Sequence, residues 1–233
     1  MVKAILFDFW GTLVENGIFP SPVRQVMFIL RLRMPFKDFI VRFEQVMMTK
    51  PYDDLNEAFT AVCKEFNVDP QPFIIEKLVG MWNKNELLGK PFLEVVEVLE
   101  FLKEKKFKVG LISNTTPTIT RVLDKFGMNK HFDAVLYSYD CGLLKTEPEM
   151  FKQLCKKLKV KPEEAVMIGD SIPTDIIGAR SAGLKAVLLD RRNRREFSPR
   201  IISLRDLKSI IEKGELDEFL SHETELNPMG TEE

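Results

Sequence analysis

Apolar residues follow two rhythms along this chain. Five short unbroken runs stand out: Ala4-Ile5-Leu6-Phe7-Asp8-Phe9, Phe107-Lys108-Val109-Gly110-Leu111-Ile112, Asp133-Ala134-Val135-Leu136-Tyr137, Ala165-Val166-Met167-Ile168 and Lys185-Ala186-Val187-Leu188-Leu189. Each closes on a small or polar residue: Gly11-Thr12, Ser113-Asn114, Ser138, Gly169-Asp170 and Asp190 in turn. Runs this short, apolar on successive positions, predict strands covered on both faces, as in a parallel sheet. Between them apolar residues recur every three or four positions, predicting helices over 93–105, 118–126 and 148–158 and a short one over 174–182. Strand and helix in alternation predict an α/β fold with a doubly wound, Rossmann-like parallel sheet. Ligands of such sheets bind at the carboxyl ends of the strands, where the polar residues that close the runs collect.

The rhythm changes between residues 16 and 89. No strand pattern occurs there, and prolines 35, 51, 70 and 91 punctuate helical patterns over 21–34, 36–48, 54–66 and 72–82. This predicts a smaller, all-helical cap subdomain inserted after the first strand, with Met27, Met47 and Met48 filling gaps in its core. The α/β core is then discontinuous, 1–15 and 90–222. It closes with helices over 203–213 and 215–222, and 223–233 is read as a frayed polar tail. A chain of 233 residues suits one core domain with such an insertion.

Composition narrows the function by exclusion. With 45% hydrophobic and 30% charged residues the chain can bury a core, and its net charge of −1 offers no bulk attraction to nucleic acid or to an anionic membrane. No apolar run approaches the ~20 residues that span a bilayer, and the early apolar stretch is too short and too acidic for a signal peptide. Cys63, Cys141 and Cys155 have neither a disulfide nor a zinc spacing and read as small buried thiols of a reducing compartment, so a cytoplasmic protein is expected. The arginines at 191, 192, 194 and 195 read as a solvated loop, and His131 and His222 have no ligand spacing.

Four strand-end segments carry candidate chemistry. Asp8, before Phe9-Trp10-Gly11-Thr12-Leu13, suits a nucleophile or a metal ligand, with Thr12 placed to bond an anion. Its plainer reading is a turn former. Ser113 and Asn114 offer a hydroxyl and backbone N–H groups to a phosphate, or else Thr115 or Thr116 caps a helix with Pro117 at its first position. Lys145, just before Pro148, could neutralise an anion, although most single lysines are solvated. Asp170 and Asp175, in Gly169-Asp170-Ser171-Ile172-Pro173-Thr174-Asp175, would form with Asp8 a hard-oxygen cluster suited to magnesium. The alternative is a helix cap by Asp170 or Thr174.

Together, and in this order, the four segments resemble the motifs of the haloacid dehalogenase superfamily, and the helical insertion resembles its cap. The resemblance covers residues 1 to about 190. It implies a hydrolase in which Asp8 is nucleophile and metal ligand. The Trp10 carbonyl and Asp170 would complete the Mg²⁺ ligands, with Asp175 supporting the metal or orienting Lys145. Ser113 and the N–H groups of Trp10 and Asn114 would hold the phosphoryl group, and the substrate would be a small phosphorylated metabolite. One position departs from the pattern. Phosphatases of the superfamily carry an acid/base aspartate two residues after the nucleophile, and Trp10 stands there, with an indole N–H that only donates. Three readings follow: a phosphatase whose proton transfer is weakened or supplied from the cap, a 2-haloacid dehalogenase, or a non-catalytic member binding a phosphorylated ligand or a protein. Dehalogenases of the superfamily lack the metal-binding aspartate, so Asp170 favours the phosphatase.

Overall fold

The computed structural model describes residues 1–222; the tail read from the sequence at 223–233 lies outside them. Strand β1 (Ala4–Phe7) leads through a tight loop to the two-residue β2 (Val14–Glu15). Four helices follow: α1 (Pro22–Ile29), α2 (Phe36–Met47), α3 (Leu55–Glu65) and α4 (Pro72–Leu88). The chain returns through β3 (Lys90–Pro91), which pairs antiparallel with β2. Then come α5 (Val95–Glu104), β4 (Lys108–Ser113), α6 (Ile119–Lys125), β5 (Ala134–Tyr137), the single turn α7 (Ser138–Cys141) and α8 (Pro148–Leu158). The rest of the core is β6 (Ala165–Gly169), a π-helical segment Ile172–Ile177 running into α9 (Gly178–Ser181), β7 (Lys185–Leu189), β8 (Arg200–Ile201), α10 (Leu204–Lys213) and α11 (Leu216–Phe219).

Six strands form one sheet in the order β5-β4-β1-β6-β7-β8, every neighbouring pair parallel. The expected doubly wound α/β core is therefore present. Successive side chains of a strand face opposite ways. Ile5, Phe7, Leu111 and Ile168 join a core cluster with α5, α6 and α10, while Leu6, Ile112 and Met167 join one with α8 and α9. Both faces are dry, which is why the strands read as unbroken apolar runs. Helices α1–α4 bury a third cluster of their own, built on Phe39, Phe43, Phe59, Leu78 and Trp82 and joined from the sheet layer by Leu144.

The helices start where local chemistry allows. Prolines occupy the first turn of α1, α4 and α8, where no N–H is needed. The Asp54 carboxylate accepts the Glu57 N–H at the start of α3. Helix α6 begins at Ile119 with no side-chain cap, so the cap expected from Thr115 or Thr116 is not formed; those residues instead stay in the strand-end loop. Ser171, rather than Asp170 or Thr174, caps the segment after β6. Cys63 and Cys155 are buried and Cys141 is half-buried, all as free thiols. Among the described residues no helix is long and apolar enough to cross a membrane.

Candidate active site

Asp8, Ser113 and Asp170 stand at the carboxyl ends of β1, β4 and β6, which lie side by side in the sheet. Parallel pairing alone gathers them. The loop after β1 is tight: Gly11 donates to the Val14 carbonyl at 2.8 Å and adopts φ +84°. A side chain at Gly11 would also overlap the Asp170 carboxylate, so glycine both allows the turn and admits the acid.

Lys145 reaches the centre of the group from the loop before α8. Its Nζ donates to Asp8 Oδ1 at 2.6 Å and to Asp175 Oδ1 at 2.5 Å, with the lysine only 3% exposed. Burial opposes the lysine's charge, but the two carboxylates overcome it and hold the ammonium above its ordinary value. The second Asp175 oxygen accepts the Ser171 N–H at 3.0 Å. The π-helical turn aims Asp175 inward, an insertion often seen at functional sites.

Asp8, Asp170 and Asp175 can bring carboxylate oxygens within 4.8 Å of one another. Desolvation first, then repulsion from Asp175 against the pull of Lys145, lifts Asp8 to about 6. Desolvation and the charges of Asp8 and Asp175 lift Asp170 to about 8. The group holds more negative charge than Lys145 offsets. Crowded hard-oxygen donors of that kind fit a divalent cation such as magnesium.

These groups line one cavity of about 200 Å³. Of the eight residues singled out in the sequence, Asp8, Trp10, Ser113, Asn114, Lys145, Asp170 and Asp175 line it. Thr12 does not. It is fully buried, its carbonyl accepts Arg191 Nη2 at 2.8 Å, and its hydroxyl has no hydrogen-bond partner among the described residues. Among the described residues the Ser113 hydroxyl has only a long 3.5 Å contact to the Asn114 carbonyl and is available to an oxyanion. Asn114 does something the sequence did not suggest. Its amide carbonyl accepts the Lys145 N–H at 2.9 Å, while its Nδ2 donates to Glu44 of α2 at 2.9 Å.

Several lining residues escaped sequence reasoning. Glu44, Asn85 and Glu86 come from α2 and α4, and Thr116 and Thr118 from the loop before α6; Trp82 of α4, a large aromatic suited to core or pocket, lines it as well. Burial raises Glu86, although a hydrogen bond from Thr118 opposes it. A signal existed for Glu44: it interrupts the Ile40–Glu44–Met48 stripe, whose members share one helix face and all line the cavity. The arginine run is also corrected. Arg192 and Arg194 are exposed, but Arg191 is half-buried, pairs with Glu94 at 2.7 Å and lies over the Phe92 ring at 3.6 Å. Arg195 donates to the Asp170 carbonyl at 2.7 Å. Both arginines brace strand-end loops that surround the acids.

A family model described as haloacid dehalogenase-like hydrolase matches residues 2–183. The glyceraldehyde 3-phosphate phosphatase of Methanopyrus kandleri is 28% identical over 207 residues, 86% of this chain and 89% of that one. The pyrophosphatase of Halalkalibacterium halodurans is 28% identical over 157 residues, 62% of this chain and 72% of its own length. A crystal structure of a phosphatase of the same superfamily from Thermococcus onnurineus aligns with a TM-score of 0.61 and 25% identity, covering 90% of this chain and 98% of that chain.

Proposed function

The chain belongs to the haloacid dehalogenase-like hydrolases, and within that family we propose that it is a magnesium-dependent phosphatase of a small phosphorylated metabolite, reacting through an aspartyl-phosphate on Asp8. One observation carries the reading: a buried lysine holding Asp8 and Asp175 beside a third carboxylate, Asp170, in a cavity that all four residues line.

Lys145 keeps Asp8 ionised and fixed, so that an oxygen of Asp8 attacks phosphorus. Ser113 and the backbone N–H groups of the Asn114 turn receive the phosphoryl oxygens as charge develops on them. Asp8 and Asp170, with the Trp10 carbonyl, would hold the cation, which when bound neutralises the phosphoryl oxygens. Both oxygens of Asp175 are engaged by Lys145 and Ser171, which suits it to positioning the lysine. Helices α1–α4 act as the cap over the cavity, and their Glu44, Trp82, Asn85 and Glu86 line it. A cavity of about 200 Å³ is smaller than the ~300–1,000 Å³ of sites for drug-sized ligands and suits a few carbons bearing one phosphate. The relatives named for glyceraldehyde 3-phosphate and for pyrophosphate support substrates of that size.

The test is phosphate release from p-nitrophenyl phosphate with and without magnesium. The expected result is release that requires the metal and falls ~10⁴-fold or more in Asp8→Asn, the scale of losing a nucleophile. Release that persists in Asp8→Asn would remove the aspartyl-phosphate from the reading.

A further inference from the structure

Trp10 leaves the reaction without its expected proton carrier, because indole has no exchangeable acid near neutral pH. An in-line displacement puts the leaving oxygen on the side of phosphorus opposite the attacking group. Asp8 attacks from the sheet, so the leaving oxygen faces the helical layer. There the wall of the cavity includes Glu44, Trp82, Asn85 and Glu86. Glu86 accepts the Thr118 hydroxyl at Oε1, which ties it to the loop before α6, and Asn85, an amide with no proton to trade, accepts the Gly17 N–H at its side-chain Oδ1 at 2.8 Å. Glu44, which lines the cavity, likewise accepts at one oxygen among the described residues, Oε2 from Asn114, and keeps Oε1 to carry a proton; what sets it apart is where that bond leads. Asn114 in turn is fixed by Lys145, so the position of Glu44 is referred directly to the residue that holds Asp8.

We propose that Glu44 is the acid/base of this enzyme, taking from the cap helix α2 the role that Trp10 cannot fill. The proposal rests on the phosphatase reading. In the first step an Asp8 oxygen bonds to phosphorus, the bond from phosphorus to the leaving oxygen breaks, and the Glu44 proton passes to that oxygen to release an alcohol. In the second, water gives a proton to the Glu44 carboxylate as its oxygen bonds to phosphorus. The bond between Asp8 and phosphorus breaks, returning the Asp8 carboxylate and inorganic phosphate, and Glu44 is again an acid.

The protonation state of Glu44 suits this cycle. Burial chiefly, with the charges of Asp175 and Asp8, pushes it up to about 7, while Lys145 and the Asn114 bond pull against them. Asp170 and Glu86 face the same cavity. The acid is therefore present at neutral pH and lost above it.

The experiment compares wild type, Glu44→Gln and Trp10→Asp/Glu44→Gln with magnesium on two substrates. Glycerol 3-phosphate has an alkyl leaving group that needs a proton, and p-nitrophenyl phosphate has an aryl one that leaves with little help. Gln is the size of Glu and keeps an acceptor for Asn114, and a melting curve confirms that the variants are folded. In Glu44→Gln, kcat/KM for the alkyl substrate should fall by ~10²–10⁴-fold, the usual worth of general acid–base help, and far less for the aryl one. The decline of alkyl kcat/KM above neutral pH should disappear. The double variant should regain alkyl turnover. Equal losses on both substrates, or none on either, would overturn the proposal and leave the phosphatase standing. So would a wild type active only on the aryl substrate, a result that needs no variant. A wild type inert on both removes the phosphatase reading, and the proposal with it.

Discussion

Lys145 is the residue on which the electrostatics of the site turn. It places one ammonium between Asp8 and Asp175 at 2.6 and 2.5 Å, in a setting where unpaired charge is severely disfavoured. Lys145→Met keeps the length of the side chain and removes the charge. Breaking a buried pair in this way costs about 3–5 kcal/mol. The cost should depend on pH with a definite sign. Without the lysine, whose charge holds it down, Asp8 titrates higher still, and a protonated acid needs no counter-charge, so the deficit shrinks as pH falls. Urea unfolding of the metal-free protein at pH 5 and pH 8 checks this: a larger deficit at pH 8 is expected, and an equal one would show that packing, rather than charge, made the lysine important. Arginine is no substitute, because a planar fork cannot place a single point charge between two acids this close.

At the scale of elements, the strand-end turns do the positioning. Helix α9 packs so closely on the loop before α8 that a Cβ at Gly178 would overlap the Lys145 carbonyl oxygen. Gly178→Ala must therefore push either α9 or Lys145 aside. Helix propensity favours alanine by up to ~1 kcal/mol, but overpacking typically costs about 1–3 kcal/mol, so net destabilisation is expected. On the proposed mechanism, in which Lys145 acts on the nucleophile, the shift should also lower kcat for p-nitrophenyl phosphate more than it raises KM. A stable, fully active Gly178→Ala would mean that the loop yields freely.

The elements themselves were largely legible. Strands β1, β4, β5, β6 and β7 and helix α8 lie where the apolar rhythm places them, within a residue or two at their ends. The misses have physical causes. Strands β2, β3 and β8 are two residues long and carry no periodicity to read. Helix α4 runs to Leu88, not to 82, because Asn85 and Glu86 look like a polar end. They are buried polar residues facing the cavity, and a site breaks the pattern that identifies its own helix. The arginine run misled for the converse reason: charges that read as solvent-facing are neutralised by Glu94 and Asp190, which lie far away or in a turn. The segments of Asp8, Ser113 and Asp170 were readable because a parallel sheet converts sequence order into spatial proximity, and Lys145 joins them from the loop before α8. The contribution of α2 was not, because no rule of spacing sets one layer against another.

The whole molecule concentrates carboxylates where a sheet, a helical layer and a single lysine meet, and its stability should report what neutralises them. Asp8 at about 6 and Asp170 at about 8 both lie above the ordinary carboxylate value of 3.8, so the metal-free folded protein holds more protons than the unfolded chain across that interval. The stability this contributes is present at pH 4 and is lost as pH rises through about 6 and then about 8. A divalent cation reverses the sign, since it binds the ionised acids and competes with their protons. Melting curves with magnesium and with EDTA should therefore nearly coincide at pH 5 and diverge toward pH 8. At a hundredfold excess over Kd the cation adds about 2.7 kcal/mol, which for a chain of this size is a shift of roughly 5–10 °C. Asp170→Asn should abolish most of that divergence and, with one buried charge removed, should melt higher than the wild type in EDTA at pH 8. A magnesium shift independent of pH, or one that survives in Asp170→Asn, would place the cation elsewhere and leave the acid cluster to Lys145 alone.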